Sequence, residues 1–257
     1  MRKVTTTELI SHATTIRRNN IMGRTDNNHK YYVNDKGEHV LRVSSVIKTL
    51  AKDSLITWAN FLGFKHIDYN KEIERVRNIG SLCHDVLEGY FDKQRLADID
   101  FDRFNIEDYG SKMEVRNALE SFLKWYKKFT KHHTYNVKFT EFVVVGEHLG
   151  GTIDCGIDGW KDPNKVIFVD YKTSGDFYLT QFLQLAAYVM IYEEVYGPDT
   201  VEGVMVIRMD KKGKKGEARF LPRKRLDDYI TCFQCLYDVT MGVKFLNANF
   251  REDTEIF

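Results

Sequence analysis

Gly150-Gly151-Thr152-Ile153-Asp154-Cys155-Gly156-Ile157-Asp158 and, beyond the turn at Trp160-Lys161-Asp162-Pro163-Asn164, Val166-Ile167-Phe168-Val169-Asp170-Tyr171-Lys172 decide how this chain is read. Both runs are rich in β-branched and aromatic residues and are parted by turn formers, so they predict two consecutive strands. Alternation with period two puts Asp170 and Lys172 on one strand face. The paired glycines permit a sharp entry and a close backbone approach just before Asp154. Strands adjacent in sequence usually pair, so the two carboxylates can meet. Taken singly, a D-x-K on a strand reads as a solvated face and a Gly-Gly-x-x-Asp as a turn. Together they supply what phosphodiester hydrolysis needs: oxygen ligands for a divalent cation and an ammonium to steady the attacking water.

Working outward, residues 137–145 form a further β-rich run. Upstream, Val76, Ile79, Cys83, Val86, Leu87, Tyr90 and Phe91 recur at helical spacing over residues 73–91. Val115, Leu119, Phe122, Leu123 and Trp125 do so over residues 113–129. The acidic, irregular residues 92–110 between these helices read as an exposed connection. Downstream come a helix over 180–196, strands over 204–209 and 218–221 around a Lys/Gly turn, and a helical pattern over 227–239. Helices before and between strands in this order imply a mixed α/β sheet flanked by helices. At the front, residues 31–33 and 38–43 flank Asn34-Asp35-Lys36-Gly37, strong hairpin chemistry. Ser44 or Ser45 can then N-cap a helix from Val46, and Asp53 or Ser54 a second through Trp58 and Leu62 to Gly63. Residues 1–75 thus read as a mainly helical cap with one hairpin, and residues 76–257 as the core with a C-terminal helix, in one compact unit.

Bulk composition neither demands nor excludes a nucleic-acid partner. The 257 residues carry 38 basic and 37 acidic side chains, a net +1, so any such site must come from local clustering. Hydrophobic residues at 43% and only three prolines fit a chain folded throughout. No run of about 18 apolar residues exists, and residues 1–10 carry charges and threonines where a signal peptide needs an apolar stretch, so a soluble, cytoplasmic protein is expected. Cys83, Cys155, Cys232 and Cys235 are too few for a disulfide scaffold. Cys232 and Cys235 form a C-x-x-C inside a helical pattern with no second Cys or His pair nearby in sequence, which reads as two small helix residues rather than a metal or redox site.

Five ordered motifs then give a specific resemblance. Gly80-Ser81-Leu82-Cys83-His84, Glu141, Gly151-Thr152-Ile153-Asp154, Val169-Asp170-Tyr171-Lys172-Thr173 and Gln184-Leu185-Ala186-Ala187-Tyr188 resemble the motif set of the RecB-like PD-(D/E)XK nucleases. That group includes the CRISPR adaptation nucleases, the mitochondrial genome maintenance exonuclease and many phage exonucleases, and the likeness spans roughly residues 76–225. It implies a restriction-endonuclease-like core and an Mg²⁺- or Mn²⁺-dependent DNA exonuclease of repair, recombination or phage DNA metabolism. The implied substrate is single-stranded DNA or DNA with free ends, with recombination or replication proteins as partners. His84, Asp154, Asp170 and the Tyr171 carbonyl would ligate metal, Lys172 would orient or activate water, and Glu141 would support the site. In related adaptation nucleases three of four cluster cysteines follow the core; Cys83 and Cys155 lie inside core motifs, so no iron-sulfur cluster is expected.

Gln184 and Tyr188, at i and i+4, share a helix face. By residue type they form a polar edge with a core tyrosine; the resemblance implies that Gln184 touches the site and that Tyr188 contacts or frames the DNA. His84 alone reads as an ordinary histidine, and Glu88 one turn on as a surface residue outside the site. Lys211, Lys212, Lys214 and Lys215 begin the densest basic cluster, which reads either as a solvated hairpin tip or as a phosphate-binding element. A structure-specific endonuclease or nickase of the same fold, a non-catalytic DNA-binding relative and an RNA nuclease remain alternatives.

Overall fold

A computed structural model of the chain describes residues 31–50, 53–93 and 99–249. Its elements run β1 (Tyr31–Val33), β2 (His39–Arg42), α1 (Val43–Ile47), α2 (Asp53–Phe64), α3 (Tyr69–Lys93), α4 (Tyr109–Phe129), β3 (Val137–Val145), β4 (Leu149–Asp158), β5 (Val166–Lys172), α5 (Leu179–Tyr196), β6 (Val201–Arg208), β7 (Glu217–Pro222) and α6 (Leu226–Asn249), with one-turn 3₁₀ segments at Asp102–Phe104 and Arg223–Arg225. The seven strands make one mixed sheet in the order β1-β2-β4-β5-β6-β7, with β3 paired to β4. β5 and β6 are parallel, as the intervening α5 requires, and β3, β4 and β5 are antiparallel neighbours.

Two apolar layers cover the sheet. Val166 and Phe168 of β5 pack with α1, α5 and α6, while Ile167, Val169 and Tyr171 pack with α3 and α4. β5 is therefore buried on both faces, which explains its unbroken apolar run. The α/β class with helix-flanked mixed sheet expected from sequence is the fold observed. α4 begins earlier than its apolar periodicity shows, because Asp108 caps it by accepting the Ser111 N–H at 2.8 Å.

Three local expectations are corrected. α1 starts at Val43 behind Arg42, so Ser44 and Ser45 lie inside it and neither caps it. Val43, Val46 and Ile47 are buried, and burial of that stripe outweighs the serine capping preference. α2 runs through Gly63 to Phe64. The side chains of Asp53 and Ser54 lie outside the described residues. The connection 99–108 is not wholly solvated, since its 3₁₀ turn is followed by Ile106 buried against α3 and α4. The front hairpin extends the central sheet, with β2 paired in parallel to β4 at Leu41↔Leu149.

Candidate active site

The site grows from a fork in the sheet. β4 and β5 pair from Asp158↔Val166 up to Cys155↔Val169 and then part, while β5 stays with β6 to Lys172↔Arg208. At the parting, Asp154 Oδ2 accepts the Tyr171 N–H at 3.0 Å, so a carboxylate stands where the next ladder acceptor would be. Across β4, Phe142↔Ile153 and Thr140↔Cys155 are paired, and Glu141 and Asp154 between them fall out of the ladder. Glu141 has φ +46°, a left-handed conformation that disfavours a residue with a Cβ. Ile153 packs on the α5 face and Cys155, two residues on, on the α3 face, so the strand reverses its alternation at Asp154. Such irregularities re-aim side chains beside functional sites, and here both carboxylates turn toward α3.

His84 on α3 meets them. One oxygen each of Glu141 and Asp154 and one ring nitrogen of His84 lie within 4.8 Å of one another. His84 Nε2 donates to the Tyr171 carbonyl at 2.7 Å, and Nδ1 stands 3.4 Å from Asp154 Oδ2. With Nε2 engaged by the carbonyl, His84 turns Nδ1 toward the Asp154 carboxylate, an arrangement suited to a cation between them. A histidine that ligates metal commonly donates its other N–H to a carbonyl in this way.

Behind this trio, Lys172 Nζ donates to Asp170 Oδ1 at 2.8 Å, and Asp170 Oδ2 is buried with no hydrogen-bond partner among the described residues. Burial, reinforced by the Asp154 charge, pushes the Asp170 carboxyl up to about 6 despite Lys172. Burial also opposes the Lys172 ammonium, but Asp170 and Asp154 outweigh it and hold its pKa above the ordinary lysine value.

These groups face a cleft of about 1360 Å³ lined by His84, Glu141, Asp154, Tyr171 and Lys172, with Trp58, Phe104 and Tyr178 around it. Asp170 does not line it. The loop after β5 is held over the cleft by Gln181, whose Nε2 donates to Ser174 Oγ and whose Oε1 accepts the Tyr178 N–H, each at 3.0 Å. Gln184 and Tyr188 do not line it either. Tyr188 is only 4% exposed, its hydroxyl accepts from Gln184 Nε2 at 2.9 Å, and its ring packs on Gly151. The ring is thus enclosed between Gln184 and Gly151 of β4, and in this arrangement it packs the strand that carries Asp154.

The basic hairpin is docked rather than free. Asp210 accepts the Lys212 and Lys214 N–H groups at 2.9 Å each, Asn117 Nδ2 donates to the Lys211 carbonyl at 3.0 Å, and Gly216 N–H donates to the Ser121 carbonyl at 3.3 Å. Lys211 and Lys212 line the cleft, Lys211 beside Glu114 at 3.4 Å, while Lys214 and Lys215 are exposed outside it. Sequence reasoning missed Arg75, Arg77 and Asp85 and set Glu88 outside the site, yet all four line the cleft along α3. The signal was there in the spacing of Arg77, Ser81, His84 and Glu88 at i, i+4, i+7 and i+11.

A three-layer α/β fold with a carboxylate–histidine trio and a lysine at a strand fork is an arrangement suited to metal-assisted hydrolysis. The chain belongs to the PD-(D/E)XK nuclease superfamily, whose family model matches residues 61–240. Membership implies DNA as substrate and use of divalent metal, and the trio of His84, Glu141 and Asp154 could hold one. No curated protein matches the chain. Among solved structures it is similar to the crystal structure of SSO0001, with TM-score 0.31, 9% identity, and 90% of this chain and 85% of that chain covered, a likeness too slight to bear on fold or function. Among the described residues, no helix is long and apolar enough to cross a membrane.

Proposed function

We propose that this nuclease is an Mg²⁺- or Mn²⁺-dependent exonuclease of the RecB-like branch, digesting single-stranded DNA or DNA with free ends in repair, recombination or phage DNA metabolism. The observation that carries the reading is the cluster of His84 Nδ1 and Asp154 Oδ2, 3.4 Å apart, with Glu141 beside them on the wall of a cleft, their ligand atoms all within 4.8 Å of one another. A nitrogen ligand with several carboxylate oxygens suits a hard or borderline divalent ion. His84, Glu141 and Asp154 would hold it, and Asp170, buried behind the cleft wall with its Oδ2 unpartnered among the described residues, adds negative charge from beneath. When bound, such an ion supplies Lewis-acid polarisation of a phosphate oxygen and of the attacking water.

The chain's own residues do the rest. Tyr171 uses its carbonyl to fix the His84 tautomer and ring, a role in orienting the ligand rather than in ligation. Its N–H holds Asp154 in place. Asp170 aims the Lys172 ammonium, and the raised pKa keeps Lys172 charged, so that it can hold water for in-line attack and stabilise charge gathering on the phosphate. Trp58 and Tyr178 line the cleft with aromatic rings suited to stacking on unpaired bases, which favours a single strand over a duplex. The test is a time course on circular and linearised forms of one single-stranded DNA and one plasmid, with Mg²⁺ or EDTA. Linear forms should be degraded and circles persist; equal initial rates on both would move the assignment to an endonuclease of the same fold.

A further inference from the structure

α3 forms one wall of the cleft, and Arg77, Ser81, His84 and Glu88 stand along one face of it, all lining the cleft. The charge along that line is unequal. Toward the helix N-terminus, Arg75, Arg77, Lys211 and Lys212 line the cleft with only Glu72 and Glu114 between them. Arg75 is held by Glu72 at 2.8 Å and Glu114 at 3.1 Å, and Lys211 lies 3.4 Å from Glu114. Arg77 and Lys212 are the cations left without an ion-pair partner among the described residues. Beyond His84 the sign reverses. Asp85 pairs with Arg103 of the 3₁₀ turn at 3.0 Å, and Glu88 has no cation partner among the described residues. At about 1.5 Å rise per residue, Arg77 stands roughly 10 Å before His84 and Glu88 roughly 6 Å after it.

We propose that the cleft grips its substrate strand on one side of the cut only, and that Glu88 sets the length of the product. Arg77 and Lys212 take phosphates of the retained strand. Glu88 repels phosphates on the far side, where Asp85 and Arg103 neutralise each other and leave its charge uncompensated among the described residues. A stacked strand advances about 3.4 Å per nucleotide and an extended one more, so roughly 6 Å admits one or two nucleotides past the cut. The products are therefore mono- and dinucleotides, and a strand without an end has no way to pass the acidic side. This inference rests on the nuclease reading, with the scissile phosphate beside His84.

Two measurements test it. In EDTA, where nothing is cut, anisotropy of a fluorescent dT oligonucleotide across a salt series reads the grip. Arg77→Ala combined with Lys212→Ala should weaken binding about tenfold or more and flatten the log-log salt slope by about 1.4, or about 0.7 per phosphate contact. With Mg²⁺, denaturing gels of end-labelled DNA read product length. Glu88→Gln keeps the size and removes the charge, and should shift products from mono- and dinucleotides to longer oligonucleotides without weakening binding in EDTA. An unchanged slope in the double variant overturns the one-sided grip, and an unchanged ladder with Glu88→Gln overturns the length limit. A wild-type protein that binds the oligonucleotide but cuts nothing with Mg²⁺ or Mn²⁺ overturns the nuclease reading and the length limit with it, while the salt slopes still decide the grip.

Discussion

One added methyl group at position 151 tests whether Tyr188 is a framework residue. A Cβ on Gly151 would overlap Tyr188 Cε1 and come within 2.9 Å of Cζ and 3.0 Å of the hydroxyl oxygen. Carbon atoms pack best at about 3.5–4.0 Å, so Cε1 of the ring would have to retreat by more than about 1 Å. It has little room, being 4% exposed and tied to Gln184 through its hydroxyl. Overpacking of this kind costs about 1–3 kcal/mol, or roughly 2–12 °C in Tm for a chain of this size. Urea denaturation followed by circular dichroism gives the stability directly. Tyr188→Ala alone should cost about 3–5 kcal/mol, as for other large aromatic truncations. In that background Gly151→Ala should become nearly neutral, because the clashing atoms are gone, giving a coupling energy of about 1 kcal/mol or more. Gly151→Ala within about 0.5 kcal/mol of wild type, or strict additivity of the two changes, would refute the packing argument and reopen Tyr188 as a DNA contact.

Further outcomes are expected. Asp154→Asn keeps an acceptor for the Tyr171 N–H but removes the charge, and should slow cleavage of labelled DNA by at least about 100-fold with an unchanged far-ultraviolet spectrum. In the absence of DNA, Mg²⁺ at about 100 times its Kd should stabilise the fold by about 2.7 kcal/mol, read by differential scanning fluorimetry; His84→Ala with Glu141→Gln should erase that increment. Asp108→Ala should cost about 0.5–2 kcal/mol by uncapping α4. The bonds from Ser111 hold the Asp108 pKa below the ordinary aspartate value, so its contribution is present above about pH 4 and lost as pH falls through the native pKa; wild type and variant should converge in acid. Asp210→Ala removes the acceptor of two backbone N–H groups and should speed amide exchange at Lys212 and Lys214, seen by mass spectrometry.

Local chemistry made much of this protein legible in its sequence. Alternation along a strand is a property of the chain alone, so Asp170 and Lys172 could be placed side by side, and their hydrogen bond at 2.8 Å follows from that placement. The Gly150-Gly151 pair signalled close approach, met by Tyr32 at Gly150 and by Tyr188 at Gly151. The helical periods of residues 73–91 and 113–129 and the adjacency of β4 to β5 likewise needed no distant partner.

What the sequence could not show depends on residues far apart in the chain. Glu141 joins Asp154 and His84 because β3 and β4 break their ladder opposite each other, and a left-handed residue without glycine leaves no local signature. Tyr188 is buried because β4 lies under α5, which turns a ring expected near DNA into packing for Gly151. The lysine hairpin is held by Ser121 and Asn117, about 90 residues upstream, and only that docking separates Lys211 and Lys212 in the cleft from Lys214 and Lys215 outside it. Periodicity and turn chemistry act within a few residues and so determined the elements and the order of the site's motifs. Which side chains face the cleft was decided by long-range packing, which no local pattern encodes.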